Sequence, residues 1–181
     1  VARTLKLGFG CEVLASDVIE DPELLAMGVR YVPPRDLLEQ VDIVSLHCPL
    51  TPDTRHIINA DAIGRARDGL VILNTSRGAL IDTQALVAGL KSRKIGGVAL
   101  DVYEQEADLF FEDLSNEIIE DDLFQRLLTF PNVLVTGHQA FLTEEALASI
   151  AETTMANISD FAAGRPLANR VDPQAAIAPR G

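Results

Sequence analysis

The chain has 181 residues, of which 48% are hydrophobic, so it is long enough to bury the core of an ordinary globular domain. Its 15 Lys and Arg residues against 27 Asp and Glu residues give a net charge of -12, which opposes binding to nucleic acid or to an anionic membrane. No stretch approaches the ~20 consecutive apolar residues that cross a bilayer, so neither nucleic acid nor membrane is expected as a partner.

Short apolar runs follow an N-terminal helical segment over residues 1–7. We predict strands over residues 11–17, 42–48, 69–76, 97–103 and 132–138. They lie roughly thirty residues apart, the length of one βαβ unit. Most of the runs are apolar on both faces, as strands of a parallel sheet covered by helices must be. The pattern therefore predicts an α/β, Rossmann-like, doubly wound parallel sheet with helices on both faces.

Two helical patterns are the clearest. Residues 82–94 carry an apolar stripe and end in basic residues, which the helix dipole favours at that end. We expect Gly96 and Gly97 to stop this helix. A longer helix is predicted from the N-cap Thr143 to Phe161, because its apolar residues recur on one side.

Polar side chains lie at or just after the carboxyl ends of the predicted strands, at the edge where ligands bind in a doubly wound fold. They are Asp17, then His47, Cys48 and Pro49, then Thr75, Ser76 and Arg77, then Asp101, Glu104 and Glu106, and finally His138. An isolated Asp is more often a turn residue than a ligand, and an isolated Arg more often forms a surface ion pair. Their joint occurrence at one edge favours a ligand site.

Three of these residues suit reversible hydride transfer between a 2-oxo acid and a 2-hydroxy acid, with a nicotinamide as the hydride carrier. Arg77 can grip a carboxylate with two parallel hydrogen bonds. His138 can act as general acid and base, because histidine titrates near neutrality. Glu106, if adjacent to His138, would favour the protonated imidazole and hold the ring in position.

Asp17 indicates which dinucleotide is bound. It follows the first predicted strand, where dinucleotide-binding folds place an acid that accepts hydrogen bonds from the adenosine ribose hydroxyls. The same carboxylate would repel a 2'-phosphate. NAD is therefore expected as the cofactor in preference to NADP.

Neither a metal centre nor a disulfide is expected. The many acids between Glu104 and Asp122 are interpreted as a solvated loop, because no His or Cys lies among them. The two cysteines, Cys11 and Cys48, fall in predicted strands, and a chain of this size needs no disulfide to fold. A reducing, cytoplasmic location fits this composition best.

The glycine fingerprint of dinucleotide-binding folds is missing from the sequence. A first strand and a G-x-G-x-x-G turn are expected ahead of the strand that ends at Asp17. Only a helical remainder ending at Gly8 and Gly10 is present, and the chain begins with Val1. We therefore expect an incomplete cofactor domain, which lacks its N-terminal strand and glycine-rich loop and is inactive by itself.

Three motifs together resemble the D-isomer-specific 2-hydroxyacid dehydrogenase family. They are NTSRGALID at residues 74–82, DVYEQE at residues 101–106 and TGHQAF at residues 136–141. DLFFED at residues 108–113 is similar to the D-lactate dehydrogenase branch. The resemblance covers essentially the whole chain. It implies an NAD-binding domain over residues 1–141, a return helix and tail over residues 142–181 that pack toward a substrate domain, and homo-oligomers formed through the cofactor domain.

The resemblance also implies roles for individual residues. Arg77 would bind the substrate carboxylate, His138 would donate the proton during reduction, and Glu106 would be the partner of His138. The implied cofactor-binding residues are Asp17, His47, Cys48, Pro49, Thr54, Thr75, Ser76, Arg77, Asp101 and His138. Among them Asp101 would meet the nicotinamide carboxamide, and Thr54 stands where the family often has Asn. Phe141 would border the substrate pocket together with Arg77 and His138.

Reversible NADH-dependent reduction of pyruvate to D-lactate is the leading hypothesis, with a small 2-oxo or 2-hydroxy acid as the partner. A dehydrogenase of a bulkier D-2-hydroxy acid would share all of this chemistry. A non-catalytic, NAD-sensing protein similar to transcriptional corepressors is a third alternative. The lactate-like segment over residues 108–143 argues against that third alternative.

Overall fold

The structure, a computed structural model, describes residues 1–106, 109 and 119–171. The chain divides between Ala140 and Phe141 into two compact units. Within the described ranges, no helix is both long enough and apolar enough to cross a membrane. The first unit carries the sheets, and the second carries one long helix.

The described residues of the first unit form two parallel sheets. The smaller sheet pairs β1 with β2, and the larger one has the order β3-β4-β5-β6. The strands are β1 (Leu14–Ala15), β2 (Arg30–Tyr31), β3 (Ile43–Leu46), β4 (Leu70–Asn74), β5 (Ile95–Leu100) and β6 (Val133–Val135). Every assigned strand pair is parallel. The predicted Rossmann-like α/β fold is confirmed, with shorter strands than the sequence suggested and with β2 in addition.

Helices alternate with these strands. They are α1 (Pro22–Ala26), α2 (Pro34–Leu37), α3 (Ala60–Arg65), α4 (Thr83–Lys91) and α5 (Asp122–Leu128), and a π-helical turn (Thr4–Gly8) precedes β1. Four helices begin at a polar N-cap whose side chain accepts a hydrogen bond from a backbone N–H of the first turn. These caps are Asp21, Asn59, Asp82 and Asp121. Each satisfies a donor that the helix itself leaves without a partner.

The core lies between the larger sheet and its helices. Alternate residues of β4 are buried and the residues between them are partly buried, as expected for a strand covered on both faces. The largest fully buried side chains include Leu70, Ile72, Leu80, Leu86, Ile95 and Leu127. This core supports the sheet from which the loops of the site emerge.

All four strands of the larger sheet end at the same level. Leu46 is aligned with Asn74, Asn74 with Leu100, and Leu100 with Val135. Because the strands are parallel, the four segments that follow these residues leave the sheet from one edge, which we call the carboxyl edge. Side chains that are far apart in the sequence are thereby brought to the same side of the sheet.

Gly96 and Gly97 lie inside β5, so the prediction that they stop the preceding helix is wrong. α4 ends at Lys91, and the chain turns through Arg93, whose φ of 63° lies in the left-handed region. The turn therefore needs no glycine. Gly96 is required for a different reason, because a Cβ at that position would lie 2.4 Å from the carbonyl oxygen of Gly69.

The second unit contains α6 (Glu144–Ala162), which confirms the predicted long helix. Thr143 caps it, with Oγ1 accepting a hydrogen bond from the N–H of Ala146 at 3.2 Å. Apolar side chains recur along α6 and are exposed, namely Leu147, Ile150, Met155, Ile158 and Phe161. Residues 172–181 of the predicted tail lie outside the described residues.

Gly96→Ala is expected to lower the free energy of unfolding by about 1–3 kcal/mol. The new methyl group would meet backbone atoms of Gly69, which cannot rotate away as a side chain could. Gly97→Ala is the matched control, since its Cβ would lie 3.5 Å from the Asn132 carbonyl oxygen, an ordinary contact. Urea unfolding followed by circular dichroism measures both variants. Equal stabilities for the two variants would contradict the close approach at Gly96.

Candidate active site

The loop after β4 is held by the buried amide of Asn74. Its Oδ1 accepts a hydrogen bond from the Ser76 N–H at 3.1 Å, and its Nδ2 donates to the Arg77 carbonyl at 2.9 Å. The Ser76 hydroxyl donates to the carbonyl of Cys48 at 2.7 Å and ties this loop to the end of β3. Thr75 and Arg77 are exposed on the loop. No sequence pattern indicated this role of Asn74.

Gly78 lets the Arg77 loop lie directly against the segment that follows β5. A Cβ at Gly78 would be 2.0 Å from the Tyr103 carbonyl carbon and 2.4 Å from the Glu104 nitrogen, so no side chain fits there. Arg77 itself has an extended backbone, and its Nη1 donates to the Ser76 carbonyl at 2.7 Å. The contact therefore fixes the backbone from which the guanidinium projects.

Glu106 and His138 are in direct contact. Oε1 of Glu106 lies 3.0 Å from Nδ1 of His138, and the two side chains are 19% and 31% exposed, respectively. The other carboxylate oxygen, Oε2, accepts a hydrogen bond from the Tyr103 N–H at 3.0 Å. The carboxylate is thus held between the backbone of its own segment and the imidazole.

Asp101 anchors the loop that carries His138. It is 5% exposed, and its carboxylate accepts hydrogen bonds from the Thr136 hydroxyl and from the N–H groups of Gln139 and Ala140. Burial raises the pKa of Asp101, but these hydrogen bonds and the charge of His138 outweigh burial and keep the pKa below its usual value. The ionised side chain therefore holds the loop, a role that the sequence did not indicate.

His138 has a φ of 54°, in the left-handed region that few non-glycine residues adopt. Its N–H donates to the Asp101 carbonyl at 2.7 Å, so both the backbone and the side chain of Asp101 hold this turn. A conformation of this kind costs on the order of 1 kcal/mol and persists only where neighbouring contacts fix it. The direction in which the imidazole leaves the backbone is therefore set by Asp101.

The segment after β3 carries the predicted adenine-side residues. His47 is exposed, with Nε2 lying 2.9 Å from the Ser45 hydroxyl. Cys48 is half-buried, and burial raises the pKa of its thiol, with a further contribution from the negative charge of Asp17.

Thr54 closes the turn that follows Pro49. Its hydroxyl donates to the Pro49 carbonyl at 2.6 Å, and its Oγ1 accepts a hydrogen bond from the Thr51 N–H at 2.8 Å. These contacts hold the loop between β3 and α3. The predicted cofactor contact of Thr54 stays a prediction.

A cavity of about 260 Å³ lies beside Asp17, at the end of β1. Its lining consists of Ser16, Asp17, Glu20, Tyr31, Val32, Pro33 and Pro34. The carboxylate of Asp17 is exposed and accepts a hydrogen bond from the Val18 N–H at 2.7 Å. A carboxylate acceptor beside a wall of aromatic and proline side chains fits a ribose and its base.

Most of the predicted site residues follow strands β3 to β6 at the carboxyl edge. They are His47, Cys48, Pro49, Thr54, Thr75, Ser76, Arg77, Asp101, Glu106 and His138. Asp17 follows β1 of the smaller sheet. Phe141 lies in the second unit and is half-exposed, and its predicted place in the substrate pocket stays a prediction.

The solvated-loop interpretation of residues 104–122 is wrong for Glu104 and Asp121. Glu104 contacts His56 at 2.7 Å, and Asp121 accepts a hydrogen bond from the Tyr103 hydroxyl at 2.7 Å. Burial, together with Asp121, raises the pKa of Tyr103. Residues 107, 108 and 110–118, with most of the DLFFED motif, lie outside the described residues.

Comparison with known proteins identifies relatives of this chain. A profile described as D-isomer specific 2-hydroxyacid dehydrogenase, NAD binding domain, matches residues 1–140. The chain is 55% identical over 161 residues to 2-hydroxyacid dehydrogenase homolog 2 of Schizosaccharomyces pombe, with 89% of this chain and 48% of that protein covered. It is 51% identical over 169 residues to D-lactate dehydrogenase of Escherichia coli, with 93% of this chain and 51% of that protein covered.

A solved structure of the pyruvate reductase of Chlamydomonas reinhardtii has the same fold. The TM-score is 0.87 and the identity 48%, with 93% of this chain and 51% of that chain covered. The chain spans about half the length of the curated relatives it matches. It belongs to the D-isomer-specific 2-hydroxyacid dehydrogenase family, and residues 1–140 match the NAD-binding domain of that family.

Proposed function

We propose that the complete protein reduces pyruvate to D-lactate with NADH and catalyses the reverse oxidation. The observation that carries this proposal is the 3.0 Å contact between Glu106 and His138, at the edge of the sheet from which the Arg77 loop also emerges. The relatives named D-lactate dehydrogenase and pyruvate reductase support the choice of pyruvate as substrate.

Arg77 binds the substrate carboxylate in this proposal. A guanidinium offers a carboxylate two parallel hydrogen bonds, which orient the substrate as well as hold it. The Arg77 backbone is fixed on one side by the Asn74 amide and on the other by the close contact at Gly78. A side chain that projects from so constrained a backbone can place the substrate reproducibly.

His138 supplies the proton. Because Nδ1 is engaged by Glu106, Nε2 exchanges the proton with the carbonyl oxygen of the 2-oxo acid. Reduction adds a hydride to the carbonyl carbon and a proton to its oxygen, and NADH, when bound, supplies the hydride. The carboxylate of Glu106 stabilises the protonated imidazole before the transfer and holds the ring afterwards.

The remaining polar residues hold the cofactor. Asp17 accepts hydrogen bonds from the adenosine ribose, with His47, Cys48 and Pro49 on the adenine side. The nicotinamide side is formed by Thr75 and Ser76, and Asp101 contacts the carboxamide. Both carboxylate oxygens of Asp101 already accept hydrogen bonds from residues 136–140, so this contact shares an acceptor that also anchors the loop.

We also propose how the chain works within the complete protein. α6 returns toward a substrate domain, which would cover its exposed apolar side chains. Cofactor domains of two copies associate into a homo-oligomer, and the free cysteines Cys11 and Cys48 suit a reducing cytoplasm. Residues 1–181 alone are expected to be inactive, because the sequence contains no G-x-G-x-x-G loop for the pyrophosphate.

Turnover by the complete protein tests the proposal. With saturating NADH, kcat/KM for pyruvate is expected to exceed that for phenylpyruvate and 2-oxoisocaproate by about tenfold or more, since a pocket sized for a methyl group excludes larger ones. The loss of NADH absorbance gives the rates, and chiral analysis should identify D-lactate. Faster turnover of a bulkier acid would indicate another D-2-hydroxyacid dehydrogenase. No turnover with any 2-oxo acid would favour a non-catalytic NAD-sensing protein.

Glu106→Gln in the complete protein is expected to lower kcat for pyruvate reduction by roughly a hundredfold. It should also move the alkaline limb of the pH profile to lower pH, because the amide cannot stabilise the protonated imidazole as a carboxylate does. Glu39→Gln, which makes the same chemical change at an exposed ion pair with Arg65, is the control and should leave the profile in place. An unmoved alkaline limb in Glu106→Gln would remove Glu106 from this role.

Asp17→Ala is expected to reduce the preference for NADH over NADPH by about tenfold or more, because like-charge repulsion of the 2'-phosphate is lost. Asp17→Asn keeps a hydrogen-bond acceptor but removes the charge, so it separates the two contributions of the carboxylate. Steady-state kcat/KM for both cofactors is the measurement. Unchanged discrimination in both variants would count against Asp17 as the selecting residue.

A further inference from the structure

A second histidine–glutamate pair, His56 and Glu104, lies outside the residues assigned so far. Glu104 Oε1 is 2.7 Å from His56 Nε2 and 3.3 Å from Arg55 Nη2, and Oε2 accepts a hydrogen bond from the Thr83 hydroxyl at 3.3 Å. The side chains of His56 and Glu104 are 33% and 21% exposed. One carboxylate thus joins the loop before α3, the first residue of α4 and the segment after β5.

His56 is itself attached to the turn that follows Arg77. Its N–H donates to the Ala79 carbonyl at 2.9 Å, and the Ile58 N–H donates to the Leu80 carbonyl at 3.1 Å. The φ of His56 is 51°, again in the left-handed region. Such a backbone conformation persists only where its contacts maintain it. The backbone of His56, from which the imidazole projects, is therefore held beside the turn over residues 78–80.

Glu104 lies within the segment that positions Glu106. The preceding residue, Tyr103, donates its N–H to Glu106 and its hydroxyl to Asp121 at the N-terminus of α5. The backbone between Tyr103 and Glu104 lies against Gly78. Any movement of Glu104 therefore moves the donor that holds the Glu106 carboxylate.

We propose that His56 and Glu104 are positioning residues for the reaction. The pair links the turn after Arg77 to the segment that carries Glu106. It thereby fixes the position of Arg77 relative to Glu106. This inference rests on the proposed function. An isolated exposed ion pair contributes little to stability. Here three partners from two segments, Arg55 and His56 in the loop before α3 and Thr83 at the start of α4, converge on one carboxylate. In such a network each contact supports the others.

Glu104→Gln and His56→Asn in the complete protein test the proposal. Asn tolerates the left-handed backbone of His56 but is too short to reach Glu104. Each variant is expected to lower kcat with pyruvate by about tenfold while KM for NADH stays within about twofold, because the change misplaces reacting groups and leaves the cofactor contacts in place. Asp68→Asn, which removes the exposed 2.7 Å pair with Lys94, is the matched control and should keep wild-type kinetics.

A double-variant cycle separates positioning from mere support of the fold. If Glu104 acts through Glu106, then Glu104→Gln combined with Glu106→Gln should be no slower than Glu106→Gln alone. Independent, multiplying losses would overturn the proposal, as would wild-type kcat in both His56→Asn and Glu104→Gln. If Glu104→Gln does not fold, His56→Asn combined with Glu106→Gln replaces it in the cycle.

An inactive wild-type protein would overturn the proposed function and the positioning role together, whereas an active wild type with unaffected variants overturns the positioning role alone.

Discussion

The contact at Gly78 is the constraint on which the site depends. Two loops that leave neighbouring strands approach so closely there that even a methyl group would collide with the Tyr103 backbone. Arg77 precedes this contact on one loop, and Glu106 follows it on the other. Because backbone atoms form the contact, neither loop can shift by a rotamer change. The parallel register of β4 and β5 therefore sets the spacing between the two loops.

Carboxylates hold the remaining loops of the carboxyl edge in addition to apolar packing. The Asp101 carboxylate accepts hydrogen bonds from the loop over residues 136–140. Glu104 contacts His56 in the loop before α3, and Glu106 contacts the ring of His138. These loops also bury apolar side chains, among them Ile58, Val102 and Tyr103, and the carboxylates add hydrogen bonds to that packing. Ionised groups with several donors are directional and can fix backbone and side-chain positions together. This arrangement places negative charge at the carboxyl edge, where Arg77 is the cation that we propose binds the substrate carboxylate.

The sequence predicted the features that depend on local pattern or on residue chemistry. Strand spacing indicated the parallel sheet, and Arg77, Glu106 and His138 stood out because each lies at or just after the end of a predicted strand. Contacts set by tertiary approach left no such signal, as with His56 and Glu104, which are 48 residues apart. β2 was missed because two paired residues are too few to show an alternation. Gly96 was misassigned because a glycine required by a neighbouring backbone looks, in sequence, like one that ends a helix.

Two of the three histidines, His56 and His138, have left-handed backbones. The backbone N–H of each of these histidines donates to a carbonyl of another segment. This geometry turns the side chain away from the direction that a helical or extended residue would give it. The left-handed conformation is unfavourable without its anchoring hydrogen bonds. The imidazole therefore keeps a single direction as long as those hydrogen bonds are present. The orientation of the His138 imidazole, the proton donor in the proposed reaction, therefore depends on the buried carboxylate of Asp101. Asp101 directly follows β5, so the position of this loop depends on the rigid sheet beneath it.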